Sequence, residues 1–104
     1  MIDASTSARD ARREPRFAVD LQAVLRREAG ILPVRLRNLS RGGALATCLF
    51  PPSALTPVTL VRGALAVEAR VAWTGRGCFG LEFARPIRAT DLLIQLSASR
   101  ASPA

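Results

Sequence analysis

The chain has 104 residues, 49% of them hydrophobic, enough for one modest core and too few for a second folded domain. Its formal charge of +7 is carried entirely by arginine, so the partner expected is an anion suited to planar, permanently charged forks. There is no histidine, and Cys48 and Cys78 stand far apart in apolar segments; this excludes a zinc-type ligand spacing, so no metal is expected, and leaves a disulfide possible but unsupported.

Residues 1 to 15 are rich in Ala, Ser, Asp and Arg and nearly devoid of large apolar side chains. Such a stretch cannot offset the entropy of ordering it and is expected to be a mobile arm. It has a polar start and no apolar run after it, unlike a signal peptide, and no run in the chain approaches the ~20 apolar residues that cross a bilayer. A cytoplasmic protein without membrane insertion is the expectation, with both cysteines as small buried hydrophobes in a reducing compartment.

From Phe17 the texture changes. "FAVDLQAVLRR" sets Phe17, Val19, Leu21 and Ala23 against Ala18, Asp20, Gln22 and Val24, the period of a half-buried strand, although Ala, Leu and Gln would also suit a helix. Gly30 supplies a turn into "ILPVRLRNLS", where Pro33 suits a strand edge or bulge. "GALATCLF" resumes the apolar run, "PPS" with Pro57 breaks it, and "VTLVRG" follows. "ALAVEARVAWTG" places Leu65, Val67, Ala69, Val71 and Trp73 on one face and Glu68 and Arg70 on the other. Gly75 and Gly77 turn the chain into "CFGLEFA", and "TDLLIQLSAS" predicts a helix with Thr90 as its N-cap and Leu92, Leu93 and Leu96 at helical spacing. The sum is an all-β, six-stranded antiparallel barrel of split-barrel type with a C-terminal helix. The division expected is an arm over 1–11, a domain over 12–98 and a disordered tail over 99–104.

Two polar stretches carry the functional reading. In "RREPR", Arg12, Arg13 and Arg16 crowd the entry to the first strand, where their mutual repulsion is relieved by water or by an anion. A hinge of guanidinium groups can close on a phosphate or on the O6 and N7 acceptors of a guanine. In "NLSRGG", Asn38 offers an amide, Ser40 a hydroxyl, and Gly42 and Gly43 a backbone that a ligand can approach. Each stretch alone is equally an ordinary feature: a solvated charge cluster, and a turn in which Asn and Ser satisfy their own backbone.

Together, an Arg-x-x-x-Arg run before the first strand and Asn-x-Ser-x-x-Gly after the second resemble the PilZ family, and "VAWTGRGCFGLEF" resembles that family's last hairpin. The resemblance covers roughly residues 12 to 98. It implies a small six-stranded barrel that binds the bacterial second messenger cyclic di-GMP. By position, Arg12 and Arg16 would grip phosphates and guanine edges with Arg13 assisting, Asn38 and Ser40 would hold a guanine, and Gly43 would keep the loop's shape. Asn38 stands where many relatives carry Asp, so its bonds to guanine lack a full negative charge. Ala11 occupies a place where relatives differ in taking one ligand molecule or a stacked pair. A downstream protein partner that reads the ligand-induced change is expected, because a lone domain of this size carries no catalytic or DNA-reading module of its own.

Trp73 could wall a ligand, but its place on the apolar face favours the core. Arg76 reads as exposed, and Glu68 and Glu82 as solvated or paired with Arg70 and Arg85, with no partner for acid-base work. An OB-like nucleic-acid-binding barrel is the first rival; the chain has one Trp, no Tyr and few free aromatics to form its stacking platform, so no DNA or RNA is expected. The second rival is a PilZ-like adaptor without nucleotide. Enzymatic activity is not expected, because no nucleophile-base or acid-base pair can be named.

Overall fold

The computed structural model describes residues 14–101. Arg12 and Arg13 lie outside the described residues, as does most of the arm. Six strands, β1 (Phe17–Arg27), β2 (Gly30–Leu39), β3 (Gly43–Thr47), β4 (Pro57–Arg62), β5 (Leu65–Thr74) and β6 (Cys78–Phe83), precede one helix, α1 (Ala89–Ala101). Every strand pairing is antiparallel, and the order β1-β2-β3-β6-β5-β4 closes into a barrel where β4 returns to β1. The expected six-stranded barrel with a C-terminal helix is the architecture found.

Alternation builds the interior. Leu21, Leu25, Leu36, Leu39, Leu60, Val71 and Phe79 are the largest fully buried side chains, and each comes from the inward phase of its strand. On β3 the inward residues are Ala44 and Ala46. Small side chains there leave interior volume for Phe79, the register partner of Ala46 across the β3–β6 ladder. Outside, Arg70 stands opposite Glu82 across β5 and β6 and pairs with it at 2.6 Å, one of the pairings the sequence allows.

Three register shifts interrupt the alternation: in β1 between Ala18 and Leu21, in β2 between Leu36 and Asn38, and in β5 between Val71 and Trp73. Each inserts one extra residue, and one extra residue exchanges the faces of everything beyond it. On β2, Leu36 and Leu39 both become buried, with Asn38 between them aligned to Leu45. On β5, Val71 faces inward opposite Leu81, whereas Trp73 aligns with Gly80 and is 48% exposed. The core position expected for Trp73 is therefore corrected. Phe17, also expected inward, lies beyond the β1 shift and is exposed.

The helix departs from expectation in three details. It starts at Ala89, with Leu92 N–H donating to Arg88 C=O at 3.0 Å, so Thr90 lies inside the first turn and is not the cap. Leu92 packs into the core while Leu93 points to solvent. The helix also continues past residue 98, and Ser99 Oγ accepts a hydrogen bond from Asp20 N–H at 3.1 Å, tying the start of β1 to the helix. The cysteines are free thiols and both are only half-buried. Cys48 packs against the core, and burial pushes its thiol pKa up, opposed by a backbone hydrogen bond at Phe50 and the charge of Arg27. No helix among the described residues is long and apolar enough to cross a membrane.

Candidate functional site

The "NLSRGG" stretch links β2 to β3, and its polar side chains first serve its own backbone. Ser40 is only 2% exposed. Its Oγ accepts N–H donors from Gly42 at 3.2 Å and Gly43 at 3.1 Å, and its own N–H donates to Gly43 C=O at 2.9 Å. A hydroxyl is the smallest group able to close such a turn from within. Asn38 Oδ1 accepts Leu45 N–H at 3.1 Å, which satisfies a donor left over where the β2 bulge disrupts the ladder.

The other residues of the loop fasten it to the rest of the barrel. Arg41 C=O accepts Ile87 N–H, and Arg41 Nε donates back to Ile87 C=O, each at 2.8 Å, clamping the turn to the segment that enters α1. Gly42 C=O accepts Phe83 N–H at 2.9 Å. Gly43 lies so close to β6 that a Cβ built on it would overlap the carbonyl oxygen of Leu81. Glycine is demanded there by this approach of two backbones.

Beside this turn opens a cleft of about 460 Å³. Glu14 and Arg16 line it from the segment entering β1, Ser40 and Gly43 from the turn, and Trp73 and Gly80 from the β5–β6 ladder. The indole of Trp73 lies against Gly80, where any Cβ would collide with its ring. Of the residues expected at the site, Arg16, Ser40 and Gly43 thus meet on one cleft. Asn38 is one strand residue away, shaping the turn without lining the cleft, and Arg12 and Arg13 fall outside the described residues.

Trp73 is a lining residue that sequence reasoning weighed as a ligand wall and assigned to the core. Its signal was Gly80, a glycine set between the large apolar side chains of Phe79 and Leu81 within a strand, which marks a place where something packs flat against the sheet. Charge is the second surprise. Arg16 is the one cation among the described lining residues, facing the carboxylates of Glu14 and Glu82, the latter already paired with Arg70.

Across sequence comparisons, the PilZ domain family model matches residues 10–99. The chain belongs to the PilZ family. A comparison with curated proteins found no match. PilZ domains are, as a family, receptors for cyclic di-GMP and adaptors, generally without catalytic activity. In this PilZ domain the family's two motifs have distinct structural settings: the Asn-Ser-Gly motif is a self-satisfied turn pinned to β6 and α1, and the second Arg of the Arg-x-x-x-Arg motif borders the same cleft. Among the described residues no group of His, Cys, Asp and Glu is assembled that could hold a metal ion.

Proposed function

We propose that this PilZ domain is a cyclic di-GMP receptor whose ligand lies in the Arg16–Ser40–Trp73 cleft and draws the Arg-rich arm onto the barrel. The observation that carries the reading is the convergence of Arg16, the Ser40–Gly43 turn and the exposed indole of Trp73 on one concavity. A purine stacks on an indole face, and such stacking contributes about 1–3 kcal/mol per base. A guanidinium fork at the rim pairs with phosphate oxygens or with the guanine O6 and N7 edge.

Arg12 and Arg13 supply the remaining charge. Arg16 is offset by Glu14, and Glu82 by its partner Arg70, so the described part of the cleft carries no surplus positive charge to attract a dianion by itself. Binding therefore depends on the residues preceding Glu14, which close over the ligand and exchange their freedom for charge-assisted bonds. The reshaped surface, read by a partner protein, is the output.

Isothermal titration with cyclic di-GMP tests this on the wild type and on Arg12→Ala, Arg16→Ala and Ser40→Ala. Either arginine truncation is expected to weaken binding at least about tenfold, equivalent to roughly 1.4 kcal/mol. Unchanged affinity in both would refute the assigned roles. The carboxylates of Glu14 and Glu82 in the cleft favour one other reading, an adaptor without nucleotide, and absence of any binding heat in the wild type would select it.

A further inference from the structure

Glu82 stands on the outer face of β6 between two strands, and its two register partners differ in what they offer it. On β3 the partner is Gly43, which has no side chain; on β5 it is Arg70. The Arg70 guanidinium therefore meets the carboxylate from the one flank that carries a side chain, Nη2 to Oε1 at 2.6 Å. Cross-strand pairs of opposite charge are ordinary on the outside of a barrel, and one with side chains 56% and 58% accessible contributes little to stability. Its position is what distinguishes it.

Two concavities meet at this residue. Glu82 lines both the Arg16–Ser40–Trp73 cleft and a neighbour of about 740 Å³ that spreads over the outer face of β4 and β5, whereas Arg70 lines the neighbour and not the cleft. Along β6, Glu82 is also the next residue on the same face after Gly80, the seat of the Trp73 indole, about 7 Å further on. The carboxylate thus flanks both the indole and the Gly43 turn, where an anion entering the cleft meets it. Bonded to Arg70, it is directed toward β5 and its charge is offset. Released, it would stand in the cleft together with Glu14, with Arg16 alone against the two.

We propose that Arg70 is a positioning residue for the anionic ligand of the cleft: from outside the cleft, its guanidinium draws the Glu82 carboxylate toward β5, away from the Gly43 turn, and offsets its charge. The inference rests on the receptor reading of the cleft and adds to it a residue that neither motif contains. Arg70 acts through Glu82 without touching the ligand, so its removal matters only while residue 82 carries a charge. Like charge placed against an incoming dianion lowers both its encounter rate and its affinity.

The test uses the full chain and isothermal titration with cyclic di-GMP on the wild type, Arg70→Ala, Arg70→Lys, Glu82→Gln and the double variant Arg70→Ala/Glu82→Gln, at about 0.1 M salt, where charges act over about 10 Å. Arg70→Ala is expected to weaken binding about threefold to tenfold, Arg70→Lys to retain most of the affinity, and the double variant to bind as Glu82→Gln does. A second readout needs no nucleotide. Trp73 is the single tryptophan, and quenching of its emission by iodide, exchanged for chloride at constant ionic strength and compared with neutral acrylamide, reports the charge beside the indole. Arg70→Ala should lower the iodide-to-acrylamide ratio and the double variant should restore it, whereas a change in the exposure of the indole alone would move both quenchers together. If the wild type takes up no cyclic di-GMP while the iodide pattern holds, the receptor reading fails and the role of Arg70 toward anions stands. If the wild type binds and Arg70→Ala binds equally well with an unchanged ratio, the role fails and the receptor reading stands. A double variant weaker than Glu82→Gln by the factor that separates Arg70→Ala from the wild type would also overturn it, by making Arg70 a direct contact.

Discussion

Trp73 and Gly80 are register partners across β5 and β6, and the indole occupies the space that a Cβ on residue 80 would need. One residue is thereby the seat of the other. Gly80→Ala is expected to push the indole off the sheet and out of its place beside Arg16 and the Ser40 turn. Trp73 is the single tryptophan, so its emission reports the change directly: a red shift on Gly80→Ala, with cyclic di-GMP affinity falling about tenfold through the lost stacking. An unshifted spectrum with intact affinity would remove the platform role from the pair.

Adjacent glycines of the same turn should respond differently to one methyl group. At Gly43 the added Cβ meets the backbone oxygen of Leu81, which cannot move without parting β3 from β6. Gly43→Ala is therefore expected to cost about 1–3 kcal/mol, as overpacking does, and to lower the thermal midpoint by several degrees. At Gly42 the nearest atom is Glu14 Cγ at 3.9 Å, an ordinary contact at the end of a flexible side chain. Gly42→Ala should melt close to the wild type. Equal losses in the two variants would mean that conformational freedom, and not the approach of β6, is what Gly43 provides.

The barrel was legible in the sequence because five of its six strands keep period-two alternation long enough to be read, and because turn residues punctuate them. What alternation cannot reveal is a change of phase. Extrapolating Leu65, Val67, Ala69 and Val71 to Trp73 buries the indole, whereas one inserted residue at the β5 bulge turns it outward. The same device on β2 sends Leu39 into the core and leaves Asn38 free to bond Leu45. The motif residues of the turn were readable as a group, since Asn, Ser and Gly are chosen for local hydrogen bonding and close backbone approach. Their division of labour was not, because it depends on Leu81, Phe83 and Ile87, which are distant in sequence.

Asp20 gives the barrel a pH dependence that can be isolated. A hydrogen bond from Arg35, reinforced by the charges of Arg35 and Arg37, holds its carboxyl below the ordinary value of 3.8, against a smaller opposing effect of desolvation. A depressed folded-state pKa contributes stability that is present above the unfolded-state value and is lost as the pH falls through the folded one. The pair is exposed, so the contribution is modest and screened by salt. Thermal midpoints of the wild type and Asp20→Asn are expected to differ at pH 7, with the wild type higher, and to converge only once the pH is taken below 3.8. A gap that stays constant from neutral pH to strong acid would mean that the aspartate's charge is not what stabilises β1 against β2.

Glu14 sits where a dianionic ligand would least tolerate it. It lines the cleft two residues before Arg16, and its carboxylate opposes both that guanidinium's pull and the approach of phosphate. Removing the charge while keeping the shape should therefore improve binding. Glu14→Gln is expected to tighten cyclic di-GMP severalfold at low ionic strength, and the advantage should shrink as added salt screens it. Arg16→Ala should move affinity the opposite way and show the same narrowing with salt, because both changes act through one local field. Weaker binding in Glu14→Gln would assign the carboxylate a direct contact with the ligand, as an acceptor for guanine N1 and N2 donors, and would reverse the sign of its contribution to the cleft.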